Sequence, residues 1–102
     1  MSSENFVEIK TKEEERYIKI FFRLKMNITP TQLENILKAF PEVQGRKILL
    51  ISGRGPIWLY CALVHKYAHL VSAVATYDPK IGGYVVVSSH ALDVDIGEII
   101  IA

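Results

Sequence analysis

A short polar segment, Ser52-Gly53-Arg54-Gly55-Pro56, lies between an apolar run and a helical pattern. Its glycines let a ligand approach the backbone closely, and the unpaired N–H groups at the start of a helix favour anions. Ser52 can donate a hydrogen bond, and the guanidinium of Arg54 can bind a phosphate through two. The spacing matches neither a P-loop nor a dinucleotide fingerprint. The segment predicts a phosphate-binding turn, and the alternative is an ordinary strand-to-helix turn with an exposed arginine.

Asp78 and Lys80 stand on either side of a proline, directly after another predicted strand. That strand, residues 72–77, should run parallel to the strand at residues 48–51. Asp78 is therefore expected at the same end of the sheet as Arg54, with Lys80 adding positive charge. The alternative is turn chemistry alone, because an Asp before a Pro commonly starts a turn.

The chain has three histidines, His65, His69 and His90. The first two lie one helical turn apart without an acidic residue between them, which excludes the zinc-protease motif. We interpret His65 as a packed core residue, because its neighbours are apolar. His69 and His90 are expected at the end of the sheet opposite to Arg54 and Asp78. Since catalytic groups must lie within a few ångströms of the reacting atom, either one end is active or two molecules stack and share the site.

The apolar pattern predicts the elements that position these groups. Strands are expected at residues 6–9, 17–24, 48–51, 72–77, 84–88 and 98–102, with the charged stretch 10–16 as a turn. Helices are expected at residues 29–40, where Thr29 or Thr31 can cap and Pro30 suits the first turn, and at about 57–69. The order β-β-α-β-α-β-β-β predicts an α/β fold, a mixed sheet with a parallel core and an antiparallel margin.

The predicted helix at residues 57–69 is apolar around its whole circumference, since Lys66 alone does not make a polar face. Such a helix must be covered on both sides. In so small a domain the second cover is most simply another subunit, so the sequence predicts a homodimer. The alternative is that Trp58 and Tyr60 pack under the N-terminal hairpin.

Composition limits the class of protein. With 102 residues, 50% of them hydrophobic, the chain is expected to form one folded domain, residues 1–102. A net charge of +1 argues against binding duplex DNA. The lone cysteine, Cys61, excludes an intramolecular disulfide and a cysteine-based zinc cluster. Residues 1–8 do not form a signal peptide and no apolar run is long enough for a membrane span, so we expect a cytoplasmic protein without membrane partners.

Three segments together resemble a known family. They are ISGRGPIWLYCALVHKY at residues 51–67, the turn Tyr77-Asp78-Pro79, and VVVSSH ending at His90. In order and spacing they resemble the small type III CRISPR-associated ring nucleases, which cleave cyclic tetra-adenylate with the help of manganese. The similarity covers roughly residues 48–100.

The resemblance implies a homodimer with a sheet core distantly like the Rossmann-type domains that sense cyclic oligoadenylates. It also implies that the ring is held between stacked dimers, in tetramers or filaments. The implied catalytic residues, which are also the candidate Mn²⁺ ligands, are His69, Asp78 and His90. The implied ligand-binding residues are Ser52, Gly53, Arg54 and Lys80.

Some members of that family carry two adjacent histidines at the helix end, where this chain has Ala68-His69. We assign the catalytic position to His69, and the alternative is that Ala68 occupies it. The resulting hypothesis is a ring nuclease that cuts cyclic tetra-adenylate into short linear oligoadenylates and switches off type III CRISPR signalling. The alternatives are a Mn-dependent 3′ deadenylating RNA exonuclease, a non-catalytic sensor or sponge for the ring, and a plain interaction domain.

Overall fold

The computed structural model describes residues 6–102. The prediction that residues 1–8 do not form a signal peptide falls mostly on residues 1–5, which lie outside the described residues. The described chain is a mixed α/β structure with one sheet. In order, its elements are β1 (Val7–Glu13), β2 (Tyr17–Leu24), α1 (Leu33–Ala39), β3 (Ile48–Arg54), α2 (Ile57–Tyr67), β4 (Ala73–Asp78), β5 (Gly83–Ser89) and β6 (Ile99–Ile100). None of the helices within residues 6–102 has the length and apolarity needed to cross a bilayer.

The strands lie in the sheet in the same order as in the chain, from β1 to β6. The pairs β2–β3 and β3–β4 are parallel, whereas β1–β2, β4–β5 and β5–β6 are antiparallel. The predicted parallel core and antiparallel margin are confirmed. Because β3 and β4 run in the same direction, the groups that follow them emerge at one end of the sheet, and those that precede them at the other.

Both helices pack on one face of the sheet. Leu59, Leu63 and Tyr67 recur every fourth residue along α2, and all three are fully buried against β3 and β4 residues such as Leu49 and Val74. Burying one such leucine stabilises the fold by about 1.5–3 kcal/mol. The packing of these three side chains against the sheet sets the position of α2, and it therefore also positions the turns before and after the helix.

Among the described elements, none of the helices lies on the opposite face of the sheet. Leu50, Tyr84 and Val86 form its buried centre, and Val94 from the loop between β5 and β6 packs against them. A small apolar cluster and one loop therefore close this side of the domain.

The start of α1 follows the predicted chemistry. A single 3₁₀ turn, Pro30–Gln32, precedes the helix, and the Thr29 N–H donates to the side-chain oxygen of Gln32 over 2.8 Å. This bond satisfies a backbone donor at the helix start, as in a capping box. The helix ends before Pro41, as expected.

The predicted turn at residues 10–16 is wrong over most of its length. β1 continues to Glu13, and its pairing with β2 runs without interruption from Val7 opposite Leu24 to Glu13 opposite Ile18. β1 is an edge strand, where charged side chains are common because they reach solvent and discourage further pairing. The charges in this segment therefore mark an edge and not a turn.

Three other boundaries differ from the prediction. β3 continues to Arg54, because Phe21 and Arg23 of β2 pair alongside Ser52 and Arg54, so the turn before α2 is only residues 55–56. α2 ends at Tyr67, and His69 lies in the turn after it. β6 is confined to residues 99–100, because only these two pair with β5.

Candidate active site at two ends of one sheet

His69 and His90 meet at one end of the sheet, which we call the histidine end. Their ring centroids are 5.2 Å apart, and the ring planes are tilted by 35°. Both residues are exposed, so a ligand can reach both imidazoles. The prediction that these two histidines share an end is confirmed.

Backbone hydrogen bonds hold the two histidines in place. The N–H of His90 donates to the carbonyl of Ser72 over 2.8 Å, and the hydroxyl of Ser72 donates to the carbonyl of Arg46. On the other side of the turn, the N–H of Gly45 donates to the carbonyl of Leu70 over 2.8 Å. The loop before β3 therefore clamps the turn that carries His69 against the strand end that carries His90.

The other end of the sheet, which we call the basic end, carries Arg54, Asp78 and Lys80. Ile51 of β3 pairs with Thr76 of β4, so Arg54 and Asp78 leave the sheet side by side at the ends of parallel strands. Arg54 is exposed, and within residues 6–102 no hydrogen bond or ion pair holds its guanidinium. A free, exposed guanidinium beside a lysine-bearing turn can bind an anion.

Asp78 has a structural role in its turn. One carboxylate oxygen, Oδ1, accepts the N–H of Lys80 over 2.8 Å and the N–H of Ile81 over 3.4 Å. The Gly82 N–H donates to the Asp78 carbonyl over 2.8 Å and closes the hairpin. The turn chemistry that the sequence left as an alternative is therefore present, and Oδ2 is not part of these bonds.

Ser52 and Gly53 lie inside β3, ahead of the exposed Arg54. Gly53 allows a close approach of strands, since a Cβ at this position would lie 2.5 Å from the carbonyl oxygen of Phe22. The hydroxyl of Tyr60 donates to the Gly53 carbonyl, so α2 is tied to this strand end. Burial raises the pKa of Tyr84 on the helix-free face, and the side chain of Ser52 opposes this shift, so the two side chains are neighbours there.

The three candidate Mn²⁺ ligands do not gather within one chain. At the usual rise of a strand, the six residues of β4 separate the histidine end from Asp78 by about 20 Å. In the part of the chain that the structure describes, no group of three or more His, Cys, Asp or Glu residues is placed to hold a metal ion. Two imidazoles and a carboxylate suit Mn²⁺ chemically, but one copy of the described chain does not bring these three donors together.

His65 is not a core residue, which corrects the interpretation made from the sequence. It is exposed, and it lies on α2 in line with Ile57 and Cys61, two further exposed residues. The buried side of α2 is set by Leu59 and Leu63, and positions 57, 61 and 65 point away from it because they are offset by two residues. The apolar neighbours of His65 in sequence therefore do not surround it in space.

A groove beside Arg54 was not predicted from the sequence. Its volume is about 780 Å³, and it lies between the end of β2, the loop that follows, and the start of α2. The lining includes Arg23, Arg54 and Trp58. Arg23 is placed there by its pairing with Arg54 in the β2–β3 register. A register between strands distant in sequence cannot be read from composition or spacing, so the sequence carries no direct signal for this groove.

The chain is thus a mixed α/β domain that presents an exposed histidine pair at one end of the sheet and the exposed side chains of Arg54 and Lys80 at the other. A family model described as CRISPR-associated protein (Cas_csx3) matches residues 21–101, which include every candidate site residue. The chain belongs to the Csx3 family of CRISPR-associated proteins. It is also similar to an uncharacterized protein of Aquifex aeolicus (strain VF5), with 40% identity over 83 residues that cover 79% of this chain and 74% of that protein.

Proposed function

We propose that this Csx3-family chain is a ring nuclease that opens cyclic tetra-adenylate into short linear oligoadenylates and so ends type III CRISPR signalling. The observation that carries the proposal is the pair of exposed imidazoles, His69 and His90, with ring centroids 5.2 Å apart. Two imidazoles at this spacing can serve the two proton transfers that cleavage of an RNA phosphodiester requires.

The reaction needs no water. The ribose 2′-hydroxyl attacks the adjacent phosphorus in line with the bond to the 5′ oxygen, and one imidazole accepts the 2′ proton. As the P–O5′ bond breaks, the other imidazole donates a proton to the leaving 5′ oxygen. The products are a 2′,3′-cyclic phosphate and a free 5′-hydroxyl. Negative charge that builds up on the phosphate oxygens is met by the side chains of Arg54 and Lys80.

The two sets of groups act together when two copies stack end to end. The histidine end of one copy then faces the basic end of the next, because each copy carries one end of each kind. His69, His90 and Asp78 are the candidate ligands for Mn²⁺ across this contact. An imidazole that bound the ion could not also transfer the proton, so in that form the ion would supply positive charge to the phosphate in place of that imidazole's acid–base role. The ring fits this arrangement because it is small, polyanionic and able to contact both copies.

The second contact in the proposal is a homodimer formed through α2. A groove of about 520 Å³ runs between α2 and β5, and it is lined mainly by apolar side chains, including Ile57, Val64 and Val87. Ile57 is 82% exposed and Val87 42%. A second α2 presents the same apolar edge, so the surface is complementary to itself about a two-fold axis. Pairing there would cover the side of the helix that the fold leaves open.

The test is cleavage of radiolabelled cyclic tetra-adenylate with and without Mn²⁺. We expect His69→Ala and His90→Ala each to slow cleavage by about 100-fold or more, as general acid–base groups do. His65→Ala is the matched control, because it removes an exposed imidazole outside the pair. His65 is in line with Ile57 on the proposed dimer surface, so its oligomeric state is measured alongside, and a His65→Ala protein that assembles like the unchanged protein should also cleave like it. A ring that stays intact but bound would refute the nuclease proposal in favour of a sponge. Shortening of linear polyadenylate with the ring untouched would favour the deadenylating exonuclease.

A further inference from the structure

The groove beside Arg54, which we call the Trp58 groove, has the size of a ligand site. At about 780 Å³ it falls within the usual range of small-molecule pockets. It is lined by Phe22, Arg23, Leu24, Lys25, Met26, Asn27, Ile28, Arg54, Pro56 and Trp58. This set combines cations with apolar and aromatic groups, and it holds no acidic side chain.

The cations come from two segments that the sheet brings together. Arg23 and Lys25 belong to the end of β2 and the loop after it, and Arg54 pairs opposite Arg23 at the end of β3. Arg23 is also bonded to Glu8 over 3.1 Å, and this contact lowers the pKa of the Glu8 carboxyl. Arg54 has no such partner in the described chain. Two guanidiniums at one strand end can bind a phosphate from two sides.

The apolar part of the groove is suited to a flat ring. Trp58 is half-buried at the start of α2, where it packs against the helix-side core and still lines the groove. Met26, which is 47% exposed and belongs to the loop after β2, is a second large apolar side chain in the lining. Indole faces stack on nucleic-acid bases with a gain of about 1–3 kcal/mol per base. A ligand that joins a planar base to a phosphate meets both halves of this lining.

We propose that the Trp58 groove binds one adenylate unit, with its base on the indole of Trp58 and its phosphate between Arg23 and Arg54. The inference rests on the proposed function for the identity of the base. Arg54 connects the two sites, because it lines the groove and also ends the strand that carries the phosphate-binding turn. A nucleotide whose phosphate reaches Arg54 from the basic end can therefore place its base in the groove.

The test uses the fluorescence of Trp58, which is the only tryptophan in the chain. Adenosine monophosphate should quench this fluorescence in a saturable way. Ribose 5-phosphate, which lacks the base, and adenosine, which lacks the phosphate, should each bind more weakly. No response of Trp58 to adenosine monophosphate, or equal binding of ribose 5-phosphate with the same quenching, would overturn the proposal.

Substitutions separate binding from a structural effect. Arg23→Ala should weaken adenosine monophosphate about tenfold, as expected for a lost bond to a charged group. Glu8→Gln breaks the same ion pair but keeps the guanidinium, so it should bind at least as tightly as the unchanged protein. Arg16→Ala is the matched control, because Arg16 is exposed and pairs with Asp93 near the start of β2. If Glu8→Gln weakened binding as much as Arg23→Ala, the ion pair and not the ligand contact would explain the effect.

The outcomes for the groove and for the nuclease are distinguishable. Cleavage of the ring by a protein whose Trp58 does not respond to adenosine monophosphate would refute the groove and leave the nuclease proposal standing. Binding as described, by a protein that leaves the ring intact, would support the groove and refute the nuclease.

Discussion

The separation of the two ends of the sheet can be tested by mixing two inactive variants. Arg54→Ala damages the basic end of each copy and leaves its histidine end intact, whereas His69→Ala does the opposite. Because β4 keeps the two ends about 20 Å apart, neither substitution is in contact with the other within one chain. If the site forms between stacked copies, a mixture contains contacts in which both facing ends are intact.

The expected recovery follows from counting contacts. Every contact joins one histidine end to one basic end, and in an equal, random mixture about one contact in four has both intact. The mixture should therefore cleave at about a quarter of the rate of the unchanged protein at the same total concentration. Each variant alone should lose about 100-fold, since this is the usual cost of removing a group that stabilises developing charge or transfers a proton. The cleavage rate of the mixture should thus exceed the rate of either variant alone by more than about tenfold.

The assay is the initial rate of cleavage of radiolabelled cyclic tetra-adenylate at several protein concentrations. A mixture of His69→Ala and His90→Ala is the control, because both substitutions damage the same end and every histidine end in that mixture is defective. It should stay as inactive as either variant alone. Absence of rescue in the first mixture, with both variants folded and able to assemble, would refute a shared site.

Three further predictions concern stability and assembly. Tyr67→Phe removes the hydroxyl that donates to the Pro41 carbonyl over 2.6 Å and should destabilise the fold by about 1 kcal/mol in urea unfolding. Burial raises the pKa of the Tyr67 phenol, so the stability that the neutral phenol contributes to the fold is present below about pH 10 and is lost as the pH rises further. The loss of folding stability at high pH should therefore be shallower in Tyr67→Phe than in the unchanged protein. Gly53→Ala places a Cβ 2.5 Å from the Phe22 carbonyl oxygen and should cost about 2 kcal/mol, and an unchanged urea midpoint would contradict the close approach. Ile57→Glu should give a monomer in sedimentation experiments without loss of folding stability, whereas the exposed Ile81→Glu should not change the oligomeric state.

Local patterns in the sequence predicted most of the fold. The apolar run at residues 48–51 identified a central strand, Pro30 and Pro41 bracketed the first helix, and the two ends of the sheet followed from the direction of parallel strands. The length of β1 could not be predicted, because a charged edge strand looks like a turn until its partner is known. For the same reason the pairing of Arg23 with Arg54 was missed, since it depends on the alignment of two strands separated by a helix.

The histidines show which part of a site a sequence determines. His69 and His90 were placed together correctly because strand direction alone brings them to one end. His65 was assigned to the core from its neighbours along the chain, yet its environment depends on which side of α2 meets the sheet. The Leu59 and Leu63 positions decide that question, and they turn His65 to solvent. Contacts set by topology were therefore predictable, whereas contacts set by helix rotation were not.

The hydrogen bond from Tyr60 to Gly53 connects two surfaces to which we assign separate roles in the proposed function. Tyr60 lines the apolar groove on α2, and Gly53 immediately precedes Arg54, the arginine that we propose binds phosphate. A subunit that packs on this groove would restrict the tyrosine and thereby stiffen the strand end it holds. By thermodynamic reciprocity, a phosphate that orders the strand end would strengthen subunit pairing by the same factor. Measuring the dimerisation constant with and without nucleotide would report the size of this linkage.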